Sequence, residues 1–185
     1  MKPINNFENV QASTGEFAKP GAGGYCVEIL SVKDVPFDPI KNKGDYLVID
    51  YDICHGDFKG HYTKQHERYG GNWFASFIRS YKESAAGMFK HFINCIEESN
   101  SGYKWNWNEQ SLVHKYVGIV LGEEEYLKND GTVGTKLVVK DVKTIHQIVQ
   151  GDFKVPEIKR LSAPPTATAS TNLPPITGTD DLPFN

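Results

Sequence analysis

No stretch of this 185-residue chain approaches the roughly 18 to 20 consecutive apolar residues of a membrane-spanning helix. The opening Met1-Lys2-Pro3-Ile4-Asn5-Asn6 lacks the apolar run of a secretory leader. Cysteine is scarce. Cys26, Cys54 and Cys95 are odd in number, widely spaced and set among apolar residues, a pattern that argues against a disulfide framework and for reduced, buried thiols. These features predict a soluble, cytoplasmic protein without membrane contact. Also missing are a nucleotide-binding glycine pattern, a serine-nucleophile motif and a paired-cysteine motif, so no catalytic residue is assigned and no cofactor is expected.

Positive charge is absent from residue 162 onward. The chain's 23 acids less Asp180 and Asp181 leave 21 against 20 basic residues, so the body is nearly neutral. A nucleic-acid binder with that balance must gather its Lys and Arg on one face. Residues 162–179 are mainly Ser, Thr, Ala and Pro, with too few apolar groups to offset the entropy of ordering. With 39% hydrophobic residues the remainder can fill one core. The expected division is a domain over residues 1–161 and a disordered tail over 162–185. The linker spans about 23 Å as a random coil. It ends in Asp180, Asp181, Leu182, Pro183, Phe184 and Asn185, an acidic and hydrophobic tip suited to docking on another protein.

Within the body, residues 1–24 read as an arm that packs Phe7 and Phe17 onto the domain. Over residues 25–35 the apolar positions switch parity midway, which predicts a bulged first strand closed by Pro36 and Pro39. Leu47, Ile49, Tyr51 and Ile53 alternate with polar or small residues and mark the second strand. A turn at residues 56–60 leads to residues 61–69, whose Tyr62, Thr63 and Tyr69 suit a third strand with one wet face. Residues 80–99 carry Ala85, Met88, Phe89, Phe92, Ile93 and Ile96 at helical spacing. Two strands follow, over 115–121 and 135–145, joined by a hairpin at Asn129-Asp130-Gly131, and residues 151–161 leave the domain. Three strands, one helix and two strands is the element order of an OB-fold, so the expected class is mainly β, a five-stranded OB-like barrel with one helix between strands 3 and 4.

The strongest binding signal mixes aromatic and cationic side chains: Arg68, Tyr69, Trp73, Phe77, Arg79, Tyr81 and Lys82, then Tyr103, Lys104 and Trp105. Single-strand binding uses both types, because every base has a face that stacks while Lys and Arg neutralise phosphates without reading sequence. Core packing competes for the same rings. Trp73, Phe74, Phe77 and Trp107 are therefore also core candidates, whereas Tyr69, Trp73, Tyr103 and Trp105 stand beside Gly, Asn or Lys and are better placed for exposure. A chemically different use exists for Asp50, Asp52, His55, His61 and His66, which as a group could ligate a divalent ion in a nuclease. Their spacing fits no tight zinc pattern, and alternating polar residues on a wet strand face explain the same letters, so no metal site is assigned.

The terminal Asp180-Asp181-Leu182-Pro183-Phe184 resembles the tail of bacterial and phage single-stranded DNA-binding proteins, where a linker ends in acids, a hydrophobic residue, Pro and Phe. In that family Phe is usually last, whereas here Asn185 follows. The body is similar to a group of phage and mobile-element proteins through Gly56-Asp57-Phe58-Lys59-Gly60, Arg79-Ser80-Tyr81-Lys82-Glu83, Glu97-Glu98-Ser99-Asn100 and the phrase at residues 151–157. The resemblance implies a non-enzymatic protein acting in the host cytoplasm. It would bind single-stranded DNA largely without sequence preference and recruit replication or recombination proteins through Asp180, Asp181, Leu182, Pro183 and Phe184. A small barrel covers few nucleotides, so several copies are expected to act together. A metal-dependent nuclease and a protein-only replication adaptor are the competing readings.

Overall fold

The computed structural model describes Pro3, Asn5, residues 7–9 and residues 18–161. Phe17 and the tip Asp180, Asp181, Leu182, Pro183 and Phe184 lie outside the described residues. The elements are β1 (Gly23–Val35), β2 (Tyr46–Ile53), α1 (His61–Tyr69), β3 (Ser76–Ser80), α2 (Ala86–Ser99), β4 (Tyr116–Leu127), β5 (Val133–Lys143) and α3 (Ile145–Gln150). The five strands form one antiparallel sheet in the order β3-β2-β1-β4-β5. Among the described residues no helix is long and apolar enough to cross a membrane.

Alternation along the strands sets the inner face. Leu47, Ile49, Tyr51 and Ile53 of β2 point inward with Val27, Ile29 and Val32 of β1, and β4 adds Val117, Ile119 and Leu121. The register of β1 against β2 shifts between Ile29 and Ser31, the bulge that the parity change predicted, and it keeps Ile29 and Val32 on the same side. Onto this face α2 lays Phe89, Phe92, Ile93 and Ile96, all buried. The β4–β5 hairpin turns at residues 128–132, where the Asp130 carboxylate accepts from the Thr132 amide and hydroxyl. The N-terminal arm departs from expectation at Phe7, which is 67% exposed rather than packed.

The third strand is displaced. Residues 61–69 form α1, not a strand, and β3 lies further on at Ser76–Ser80. The helix wins because Asp52, at the end of β2, supplies the acceptors its first turn needs. One carboxylate oxygen accepts from the Ile53 and Tyr62 amides, and the other from the Thr63 amide and hydroxyl. The N-cap itself, Gly60, offers no side chain. Tyr62 and His66, one turn apart, then pack edge-on to Tyr51 and against Trp73.

No ladder joins β3 to β5. Side chains of β3, α2 and β5, among them Arg79, His91 and Asp141, instead line a cavity of about 260 Å³ between these two edges. The Arg79 guanidinium lies 4.8 Å from the Phe77 ring and 5.9 Å from that of Phe92, and donates to the Ile78 carbonyl. His91 of α2 donates from Nε2 to the Val142 carbonyl, while the Val142 amide is taken by Asp141. Both edges are thereby blunted against further pairing. On the opposite face, α3 is held by a capping box between Thr144 and Gln147 and packs Ile148 where a Cβ on Gly118 would stand. Phe153 and Pro156 similarly cover Gly24 and Gly122, and Lys159 pairs with the backbone of Glu123 and Glu125.

Candidate nucleic-acid interface

The outward face of β1, β2 and β3 is open where α3 and the C-terminal leg do not cover it. Strand register arranges it in three rows: Ser31, Asp50 and Ser76; Lys33, Val48 and Ile78; Val35, Tyr46 and Ser80. Ile78 is 54% exposed although it sits in a strand, because its neighbours Phe77 and Arg79 occupy the inner side. Asp50 accepts the hydroxyls of both Ser31 and Ser76, which ties the first row together and engages the one carboxylate of the three rows. Phe74, before β3, continues its outward side and is 63% exposed.

At one end the β1–β2 connection, residues 36–45, forms a rim. Its turn is closed by paired backbone bonds between Asp38 and Lys43, and Gly44, at φ 130°, lies against the Pro36 carbonyl where no Cβ fits. Phe37 and Ile40 project from it, and the Lys82 ammonium lies 5.5 Å from the Phe37 ring. At the other end stands the last turn of α1, with Arg68 5.5 Å from the exposed Tyr69 ring. Cation pairing separates this region from the hairpin. Lys33, Lys43 and Lys82 have no carboxylate partner among the described residues, whereas Lys136, Lys140 and Lys159 converge on Glu124 and Lys143 pairs with Asp141.

The predicted site residues divide accordingly. Arg68, Tyr69 and Lys82 are surface groups bordering this face. Trp73 is half-buried, its indole N–H donating to the Ala75 carbonyl and its ring against His66. Phe77 is a correction: it is a core residue at 7% exposure, so no base can reach its face. Arg79 is partly buried, its guanidinium lying against the Phe77 and Phe92 rings, and burial pulls its pKa below the usual arginine range against the pull of Asp141. Tyr81 donates to Asp34 and meets Phe89 edge-on; burial first, then Asp34, pushes its phenol up to about 12.

The second cluster packs on α2. Tyr103 shares a hydrogen bond with Ser111, Lys104 pairs with Glu97 at 2.8 Å, and Trp105 lies edge-on to Phe89. Trp107 and Phe74, weighed above as core, are instead exposed. Sequence reasoning did not single out Lys33, Phe37, Tyr46, Val48 and Ile78. The alternation of β2 carried the signal for Tyr46 and Val48, because the positions opposite to Leu47 and Ile49 define the outer face.

The metal reading loses its central ligand, since both oxygens of the buried Asp52 are engaged by the start of α1. Asp50 holds its two serines, and among the described residues no group of three or more His, Cys, Asp and Glu side chains is arranged to hold a metal ion. Neither any protein-family model nor any curated protein matches this chain.

Proposed function

We propose that this chain binds single-stranded DNA, largely without sequence preference, across the outward face of β1, β2 and β3 and the rim at residues 36–45. The observation that carries this reading is the combination on one open face and its rim of Tyr46, Val48 and Ile78 with Lys33, Lys43 and Lys82, three cations in no ion pair among the described residues. Apolar and aromatic groups there offer surface to bases, and the lysines offer counter-charges to phosphates. The strand order β3-β2-β1-β4-β5 supports an OB barrel opened between β3 and β5, the architecture whose second and third strands and β1–β2 loop take up single strands. The resemblance of the tail assigns partner recruitment in replication or recombination to Asp180, Asp181, Leu182, Pro183 and Phe184.

Titration with oligo-dT at several salt concentrations tests the binding, with oligo-U as the arm that separates DNA from RNA preference. Tight binding with a steep salt slope is expected. The combined K33E, K43E and K82E variant should lower that slope by about 0.7 per lost phosphate contact. Unaltered affinity in this variant overturns the assigned face. Deleting residues 180–185 should leave oligo-dT affinity unchanged or slightly raised and abolish capture of replication or recombination proteins; retained capture overturns the role of the tip.

A further inference from the structure

We infer that Trp107, in the loop between α2 and β4, is a stacking platform for an unpaired base, an assignment that rests on the single-strand reading above. Trp107 is 81% exposed, the most solvent-accessible aromatic ring among the described large hydrophobic residues. It also has φ 63°, a left-handed backbone that a bulky residue adopts at a cost and that Gly or Asn adopts readily. A turn needing only that backbone would be better served by Gly. The ring is thus presented to solvent at the expense of local conformation, the combination expected where a side chain has work outside the fold.

The surrounding residues hold that presentation in place. The Asn106 side chain accepts from the Asn108 amide and the Ser111 hydroxyl, clamping the turn around Trp107. Trp105 supports the ring from beneath at 6.1 Å between centroids, and itself rests on Phe89. Three residues on, Gln110 donates to the Val32 carbonyl, fixing the loop to the strand that carries Lys33. A second connection reaches the rim through contacting rings, from Trp107 through Trp105 and Phe89 to Tyr81, whose neighbour Lys82 covers Phe37.

A base suits this site better than a protein partner. Asn106 and Asn108, both exposed, flank Trp107 in the chain, so the loop offers one aromatic ring between polar residues, not the broad apolar area of about 800 Å² per side that stable protein association uses. Stacking asks only for one such exposed ring.

The test is the W107G variant in the full chain, read by oligo-dT affinity and by thermal unfolding. Glycine removes the ring and relieves the left-handed backbone, so stability should be unchanged or higher while affinity falls about 5- to 150-fold, the equivalent of one stacked base. The salt slope should not change, since no phosphate contact is lost. W107F, in parallel, should retain most of the affinity while losing most of the tryptophan quenching on binding. Wild-type affinity in W107G overturns the inference, and the ring then serves a protein partner or no ligand. Failure of the wild-type chain to bind any oligonucleotide is a different result, which removes the proposed function itself.

Discussion

Replacing Asp52 by Asn changes one oxygen to an amide at a position where both oxygens accept. In the folded chain Oδ1 takes the Ile53 and Tyr62 amides, at 2.8 and 3.0 Å, and Oδ2 takes the Thr63 amide at 2.9 Å and its hydroxyl. Whichever way the new amide is turned, its NH2 faces at least one backbone N–H, which is left without an acceptor in a buried setting at a cost of about 1–3 kcal/mol. The charge that meets the N-terminus of α1 is lost too, for roughly another 0.3–2 kcal/mol. D52N should therefore destabilise the domain by about 2–4 kcal/mol and lower Tm by roughly 5–15 °C for a domain of this size. Urea unfolding measures the first quantity and calorimetry the second. Hydrogen exchange at Tyr62 and Thr63 should show the opening of α1 before the sheet. A loss below about 0.5 kcal/mol, with Thr63 still protected, would refute the view that Asp52 is the cap of α1. A stable D52N that instead lost a magnesium-dependent cleavage activity would restore the nuclease reading.

Other substitutions separate core, closure and surface. F77A should cost about 3–5 kcal/mol in urea unfolding, the range for emptying a buried aromatic site, and at temperatures where the variant stays folded it should leave the salt slope of oligo-dT binding unchanged. I78E, by contrast, should leave Tm within a few degrees and weaken oligo-dT at least tenfold, because the new charge meets solvent in the free protein and phosphate in the complex. G44A should destabilise strongly, since a Cβ there would stand 2.2 Å from the Pro36 carbonyl oxygen at a φ of 130°; differential scanning fluorimetry suffices to show it. Finally, the Glu124 carboxyl is held below its usual range, chiefly by its hydrogen bond from Lys140. A carboxyl so depressed contributes stability present above its unfolded pKa and lost as pH falls through the folded one, so K140M should flatten the acid limb of the stability profile, which an equal slope in both proteins would contradict.

What could be read from the letters was what local pattern encodes. The bulge in β1 follows from one parity change, the face of β2 from four alternating residues, and α2 from its spacing of Phe89, Phe92, Ile93 and Ile96. The β4–β5 turn needs only Asn129-Asp130-Gly131. Residues 61–69 defeated the same approach because the acceptors that start the helix belong to Asp52, across a turn and on another element. With Tyr62 and Thr63 favouring strand locally, propensity pointed away from the answer that a tertiary cap imposes. The proposed face was partly hidden for a related reason: it depends on which residues of β3 look outward, and that parity is undefined until the strand itself is placed.

The placement of β3 inverts the meaning of its residues. Phe77 and Arg79, an aromatic and a cation two positions apart, form the kind of pair that single-strand binding would use, yet a strand of five residues assigns both to the inner side. There the guanidinium lies against the Phe77 and Phe92 rings, bonded to the Ile78 carbonyl and drawn toward Asp141, and it lines the gap where a ladder from β3 to β5 would have run. The same geometry frees Ile78. If Arg79 faced a phosphate, Ile78 would face the core, and the open rows around Val48 and Tyr46 would lose their outer member. Lining that gap with an arginine and exposing an isoleucine are therefore two consequences of one strand parity, and the apolar surface proposed to receive bases exists because the nearest cation was turned inward.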